Sequence, residues 1–295
     1  VSGQALLALP AVAALGYVAA VLLLKRALVL GCTEAQVNLA ANLVPAALFQ
    51  LLWLRGDAVH WGEVWRPLVA TVTFLLGQVF TFRALRAGEV SVATPLLGTK
   101  VLLTAIWSAL LFGQMIELRW WLGAAASTAG IVLITGATLR SLAPRLLQAD
   151  ALCSLGAAAS FGLTDVLVQH WAADLGVSAF IMVMFGAVGV ASIFLFIPGH
   201  GRRIADVPSA AVSSLSGGSA ILGIQALAMA LALGLHGSAT AVNVVYSSRA
   251  VWSVVLAWVL ARRLGSPESR DTPAVMMRRL AGAILVFSAV VTVLV

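Results

Sequence analysis

Residues 92–113 read VATPLLGTKVLLTAIWSALLFG and residues 241–261 read AVNVVYSSRAVWSVVLAWVLA; each apolar run holds one cation in its interior, Lys100 in the first and Arg249 in the second. A charge at the centre of a bilayer costs about 3 kcal/mol or more, so neither side chain is expected to face lipid. Each cation follows a small polar pair, Gly98-Thr99 or Ser247-Ser248, and each holds nearly the same place in the fourth apolar segment of its half of the chain. That correspondence marks an internal duplication with a positively charged site between the halves.

The composition around these runs is that of a membrane protein. Hydrophobic residues make up 61% of the 295, charged residues only 10%, and the mean hydropathy is +1.04, whereas soluble domains carry about 25% charged residues. The first run, 4–24, lacks a basic leader and a clear cleavage site, so it is read as a retained membrane span. The formal charge of +7 would suggest nucleic acid in a soluble protein. Here the arginines fall mostly in short connections, where anchoring at headgroups accounts for them, and no nucleic-acid partner is expected. Cys32 and Cys153 are too few for a disulfide framework, lack metal-ligand spacing, and read as small membrane-facing residues.

A helix needs about 20 apolar residues to cross roughly 30 Å of hydrocarbon. Charges and Pro/Gly breaks divide the chain into ten runs of about that length: 4–30, 35–54, 67–87, 90–112, 119–138, 150–171, 177–197, 210–235, 238–261 and 276–295. The irregular stretch around Pro144 divides them five and five. The expected organisation is therefore an all-α integral membrane fold of ten transmembrane helices arranged as two inverted five-helix repeats, residues 1–138 and 150–295, joined by a linker at 139–149. An odd number of spans per half forces the second half to enter with opposite orientation. Ala87-Gly88 matches His236-Gly237, Leu122-Gly123-Ala124 matches Ala281-Gly282-Ala283, and Lys25 corresponds loosely to His170. Small residues at helical spacing, such as Ala158 with Gly162 and Gly123 with Ser127, are read as helix-packing positions. Tryptophans near run ends, including Trp53, Trp61, Trp65 and Trp171, read as an interfacial belt. Arg86, Arg140, Arg145, Arg202, Arg203, Arg262, Arg263, Arg270, Arg278 and Arg279 follow odd-numbered runs and only Arg55, Arg66 and Arg119 even-numbered ones, which by the positive-inside rule puts both termini outside.

Asp165 stands alone among the acids in lying well inside an apolar run, GAAASFGLTDVLVQHW at 156–171. Lys100 and Arg249 against Asp165 leave the interior with surplus positive charge, which a bound anion would balance. Arg249 offers a planar fork for carboxylate or phosphate and Lys100 a point charge from the opposite repeat. Thr99, Ser248, Tyr246 and Asn243 add neutral hydrogen bonds, and Lys25 is either a further site residue or a side chain reaching for the interface. The plainer alternative is a structural bridge in which Asp165 pairs with Lys100 or Arg249. No HExxH, GxSxG, Walker loop or paired aspartates occur, and only four histidines, so no enzyme, metal or cofactor is expected.

AAVLLLKRALVLG at 19–31, PLLGTKVLLTAIWSALLFGQ at 95–114 with WWLGAAASTAGIVLITG at 120–136, and the weaker copy NVVYSSRAVWSVVLAWVLARR at 243–263 with RRLAGAILVFSAVV at 278–291 resemble the drug/metabolite transporter superfamily, in its EamA-type form with two five-span units. The resemblance covers almost the whole chain. It implies alternating access, with two repeats rocking about a central cavity lined by the first, third, fourth, sixth, eighth and ninth spans, and with cytoplasmic termini, opposite to the arginine count. The chain departs from the pattern in closing its fourth and ninth spans with Gly113-Gln114 and Arg262-Arg263 where the family has Gly-Glu. The expected function is secondary transport of a small anionic or zwitterionic metabolite, with a proton or other ion as coupling partner and lipid as surroundings. The alternatives are an exporter of amino acids or amphiphilic drugs, and a flippase for a phosphate-bearing lipid. The composition suits a bacterial inner membrane.

Overall fold

The computed structural model describes residues 6–55, 58–87, 96–136, 148–196, 206–253, 255–256 and 273–294. Among the described residues there are no strands and ten α-helices: α1 Ala8–Val29, α2 Glu34–Gln50, α3 Trp65–Ala87, α4 Lys100–Phe112, α5 Leu118–Thr135, α6 Ala149–Leu175, α7 Val177–Phe196, α8 Ser209–His236, α9 Ala239–Tyr246 and α10 Pro273–Leu294. Seven helical segments, those of α1, α2, α3, α5, α6, α7 and α8, are long and apolar enough to cross a membrane. The chain is an integral, multi-pass, all-α membrane protein. Pro95, residues 139–147 of the expected linker at 139–149, and Arg140, Arg145, Arg202, Arg203, Arg262, Arg263 and Arg270 lie outside the described residues, and with them most of the arginine count behind the orientation.

Helices are the outcome because hydrocarbon offers the backbone no hydrogen-bond partner, so each segment must bond to itself. The hydroxyls within them obey the same rule. Thr71, Thr81, Thr104, Thr128, Thr164 and Ser192 each donate to the carbonyl four residues earlier, at 2.7–2.9 Å, which lets polar residues sit in apolar surroundings without an unmet group. The start of α2 shows reciprocal capping: Thr33 Oγ1 accepts from Gln36 N at 3.2 Å, and Thr33 N donates to Gln36 Oε1 at 2.8 Å.

The chain divides into two compact units, and each draws on both sequence halves. One unit comprises Val12–Val72 and Leu167–Leu235. In it α2 runs antiparallel to α7: Asn42 Nδ2 donates to Ser192 Oγ at 2.9 Å and Gln50 Nε2 to the Met182 carbonyl at 3.1 Å, while Phe49 and Phe185 stack edge to face at 4.3 Å. Asn42 thus acts as a tie between helices. Leu24, Ala27, Cys32, Val37, Ala211 and Leu215 form a buried cluster. Near its ends, Arg66 bridges Glu63 at 2.9 Å and Asp174 at 3.7 Å beside the Trp65–Trp171 edge-to-face pair. Trp53, Trp61 and Trp65 are exposed, as suits side chains at a headgroup boundary.

The other unit comprises Val1–Ala11, Thr73–Val166 and His236–Val295. Its most intimate contact is between α5 and α10, which cross antiparallel with Gly123 beside Val293 and Gly130 against Gly282. A Cβ on Gly130 would lie 2.8 Å from the Gly282 carbonyl oxygen, and one on Gly282 would lie 2.6 Å from the Gly130 carbonyl oxygen. The backbones touch because neither position has a side chain. The sequence correspondence of Gly123 with Gly282 is therefore not a contact; Gly282 meets Gly130, about two turns farther along α5. Helices α4 and α9 also pack together, antiparallel, with Gln114 Nε2 donating to the Gly237 carbonyl at 3.0 Å. The three pairs α2–α7, α4–α9 and α5–α10 each join helices five places apart in chain order.

Cys32 departs from the expectation of a membrane-facing residue. It is 7% exposed within the cluster around Leu24 and Leu215, between α1 and α2, and that burial pushes its thiol above the usual range. Because the thiolate is the reactive form, Cys32 is expected to label with maleimide at least about tenfold more slowly at neutral pH in the folded protein than after SDS unfolding; equal rates would contradict this packing. Gly282→Ala is expected to lower stability in detergent by about 1–3 kcal/mol through overpacking, measured as a drop in Tm. Gly62→Ala, with open space around it, should leave Tm unchanged.

Candidate substrate site

Close approach of α6 to α4 builds the charged centre. A Cβ on Gly162 would stand 3.2 Å from Thr104 Oγ1 and 3.5 Å from the Lys100 carbonyl oxygen, so glycine there lets α6 lie against the first turn of α4. Farther along α4, Trp107 Nε1 donates to the Ala159 carbonyl at 3.0 Å and fixes the register. Three residues beyond Gly162 on α6, Asp165 then faces Lys100, and Nζ meets Oδ2 at 2.6 Å. The two side chains are 15% and 13% exposed, which withdraws them from most but not all solvent.

The third partner comes from α9, whose residues Ala239–Tyr246 are all buried. Asn243 Nδ2 donates to Asp165 Oδ2 at 2.7 Å and to the Ala239 carbonyl at 2.9 Å, so its amide is committed on both hydrogens. Lys100 and Asn243 therefore share one carboxylate oxygen. A neighbouring hydroxyl pair, Thr73 with Thr164 at 2.8 Å, ties α3 to α6 one residue before Asp165.

Both cations sit where helix geometry falters. Residue 99 is a turn, and Thr99 Oγ1 donates to the Leu96 carbonyl at 2.6 Å. Helix α9 ends at Tyr246, Ser247 and Ser248 form a turn, and helical structure resumes at Arg249. Ser247 Oγ donates to the Val244 carbonyl at 2.6 Å and lies 3.1 Å from Ser127 Oγ, which pins the break to α5. Short, polar side chains that bond their own backbone make such breaks tolerable in an apolar setting. The Arg249 guanidinium lies over the Tyr246 ring, 4.7 Å from its centroid, and repels the Lys100 ammonium electrostatically. A cation on an aromatic face gains up to about 2 kcal/mol where water is scarce.

Of the residues singled out by sequence, Lys100, Asp165 and Asn243 meet directly, and Arg249 with Tyr246 stands close enough to act on Lys100. Thr99 spends its hydroxyl on its own helix. Ser248 Oγ is buried and, among the described residues, has no hydrogen-bond partner. Lys25 belongs to the other unit, where it is exposed near the end of α1. A shallow recess lined by His60, Glu63, Pro67, Leu175 and Phe180 also lies in that unit and contains none of these residues. Sequence reasoning missed Trp107 and Ser127 as positioning residues and read Gly162 only as a packing position; the Ala158–Gly162 spacing was the available signal.

The profile of the EamA-like transporter family matches residues 2–136. The probable 4-amino-4-deoxy-L-arabinose-phosphoundecaprenol flippase subunit ArnE of Aeromonas salmonicida (strain A449) is 34% identical over 86 residues, 28% of this chain and 75% of that protein. A crystal structure 17% identical to this chain superposes with a TM-score of 0.69, covering 96% of this chain and 94% of its own, and so shares the fold. With a matching profile over its first half and a relative of this identity and coverage, the chain belongs to the EamA-like transporter family, a family of membrane transporters.

Proposed function

We propose that this membrane protein is a secondary transporter, working by alternating access of two inverted repeats, for a small anionic or zwitterionic metabolite held by Lys100 and Arg249. The observation that carries the proposal is one cluster that draws Lys100 and Arg249, a cation from each half of the chain, close enough to act on each other, with the Ser248 hydroxyl buried there and, among the described residues, without a hydrogen-bond partner. A substrate acid group would accept from the Arg249 fork, from Lys100 and from the Ser248 hydroxyl. The antiparallel pairs α2–α7, α4–α9 and α5–α10 support the inverted repeat, since a pseudo-two-fold axis in the membrane plane brings corresponding helices together with opposite directions. Proteins of this kind in a bacterial cell work in the inner membrane, and we assign the chain there.

A second reading has a specific observation behind it. The ArnE relative is named as a flippase subunit for an amine- and phosphate-bearing lipid, so the acid group held at Arg249 would belong to a lipid carrier. The same cations serve both substrates, and what differs is the tail.

A thermal-shift screen of carboxylates, phosphate esters, sulfate and amino acids, with undecaprenyl phosphate in parallel, tests the proposal. A ligand at 100 times its Kd stabilises the folded state by about 2.7 kcal/mol. Acids are expected to raise Tm of the wild type, and Arg249→Gln and Lys100→Gln are each expected to weaken that binding at least about tenfold, or 1.4 kcal/mol. A response confined to the lipid phosphate favours the flippase; cationic drugs binding as well as acids, or acids binding both variants unchanged, would sink the site.

A further inference from the structure

We propose that the shallow recess at the ends of α3, α6 and α7 seats the headgroup of an aminophospholipid, with the ammonium against Glu63 and Asp174, the phosphate on Arg66 and the glycerol end of the tails over Leu175 and Phe180. None of these residues is shared with the charged cluster of Lys100, Asp165 and Arg249, which belongs to the other unit.

Local structure builds the recess. Gly176 has a φ of +83°, a left-handed conformation that L side chains disfavour, and it lets α7 begin at Val177 directly after α6 ends at Leu175. Leu175 and Phe180, in the first turn of α7, therefore border one hollow, and Glu63 with Pro67, at the entry to α3, close its other side. The floor is apolar, with Phe180 only 1% exposed. Membrane-spanning segments begin at Trp61 and Val177 and end at Leu175, so the hollow lies at a membrane boundary. Next in sequence to its lining, Trp61 and Trp65 are 74% and 51% exposed, and Trp65 packs edge to face on Trp171. Amphipathic rings settle in this way at headgroup level. The space, about 220 Å³ counting its open mouth, is smaller than the roughly 300–1,000 Å³ of a pocket that encloses a small ligand. It takes part of a molecule, and a lipid is a ligand whose remainder stays in the bilayer.

Charge selects the headgroup. Arg66 lies 2.9 Å from Glu63 Oε2 and 3.7 Å from Asp174 Oδ2, the second too long for a hydrogen bond. The nearer contact is an ion pair without hydrogen-bond alignment: among the described residues, Glu63 Oε2 and Arg66 Nε are buried and have no hydrogen-bond partner. Buried polar atoms in that state call for a partner. The Glu63 and Asp174 side chains are still 42% and 69% exposed, which leaves both within reach of a ligand. A primary ammonium brings N–H donors to the two carboxylates, and a phosphate accepts from the guanidinium fork between them. A choline headgroup carries its charge without an N–H, and a glycerol headgroup sets a phosphate before both carboxylates with no cation of its own. The pattern thus fits an amine-bearing, zwitterionic lipid.

Native mass spectrometry of the delipidated protein, titrated with phosphatidylethanolamine, phosphatidylcholine and phosphatidylglycerol of identical acyl chains, tests the assignment. The wild type is expected to bind phosphatidylethanolamine at least about tenfold more tightly than either other lipid, a ratio set by hydrogen bonds to charged groups. Glu63→Gln and Asp174→Asn, near-isosteric changes at partly exposed side chains, are each expected to bring that preference down to about threefold or less. Should one variant fail to fold, the other and the wild-type ranking decide. Equal binding of the three lipids, or a preference that survives in both variants, overturns the proposal. So does phosphoethanolamine, the headgroup without its tails, binding the wild type as tightly as the whole lipid, since the recess would then be a site for a soluble amine.

Discussion

A charge inside an apolar chain has to find its counter-charge within the protein, and the Lys100–Asp165 contact answers that demand here. Leaving either partner alone in such a setting costs about 3–5 kcal/mol, a large share of the stability of an ordinary domain. The contact therefore dictates which faces of α4 and α6 meet. Gly162 and Trp107 serve it, the first by letting the backbones approach and the second by fixing how far the helices slide. Asn243 extends the same demand to α9, which is why a short helix with every residue buried runs through this unit.

Arg249 lies beside this pair with its guanidinium over the Tyr246 ring, and its charge acts on Lys100. Ionisable groups in a membrane helix are expensive to keep, so each has to be held by the protein. The broken geometry at Thr99 and at Ser247–Ser248 accompanies them: each break falls just ahead of a cation and is held by hydroxyls bonded to their own helix, which frees the backbone from strict helical repetition there.

Membership of the EamA-like family and the shared fold of a solved structure place this cluster on a transporter frame, with the ArnE likeness confined to part of the chain. Much of that frame was legible beforehand. The apolar runs anticipate the helices because spanning hydrocarbon demands a minimum length of unbroken hydrophobic sequence. The isolated ionisable residues marked the charged cluster, since a charge in an apolar run has to be met inside the protein. Harder to read were the neighbours: Trp107 and Ser127 carry no signature, since an indole or a hydroxyl in a membrane helix bonds whichever carbonyl packing brings near. Cys32 looked like a lipid-facing residue because hydropathy does not distinguish lipid from protein interior, and the structure buries it among Leu24 and Leu215.

Sequence by itself determined that this chain is a helical membrane protein with three charges it could not leave in lipid, because the cost of exposing charge and unpaired backbone to hydrocarbon is written in composition and spacing alone. Only the tertiary structure decided that Asp165 pairs with Lys100 rather than Arg249, and that Gly282 meets Gly130 rather than its sequence counterpart Gly123. Those choices depend on helix register and rotation. A shift of one residue turns a side chain by about 100° around the helix, and the small contacts that settle it are made between segments far apart in the chain.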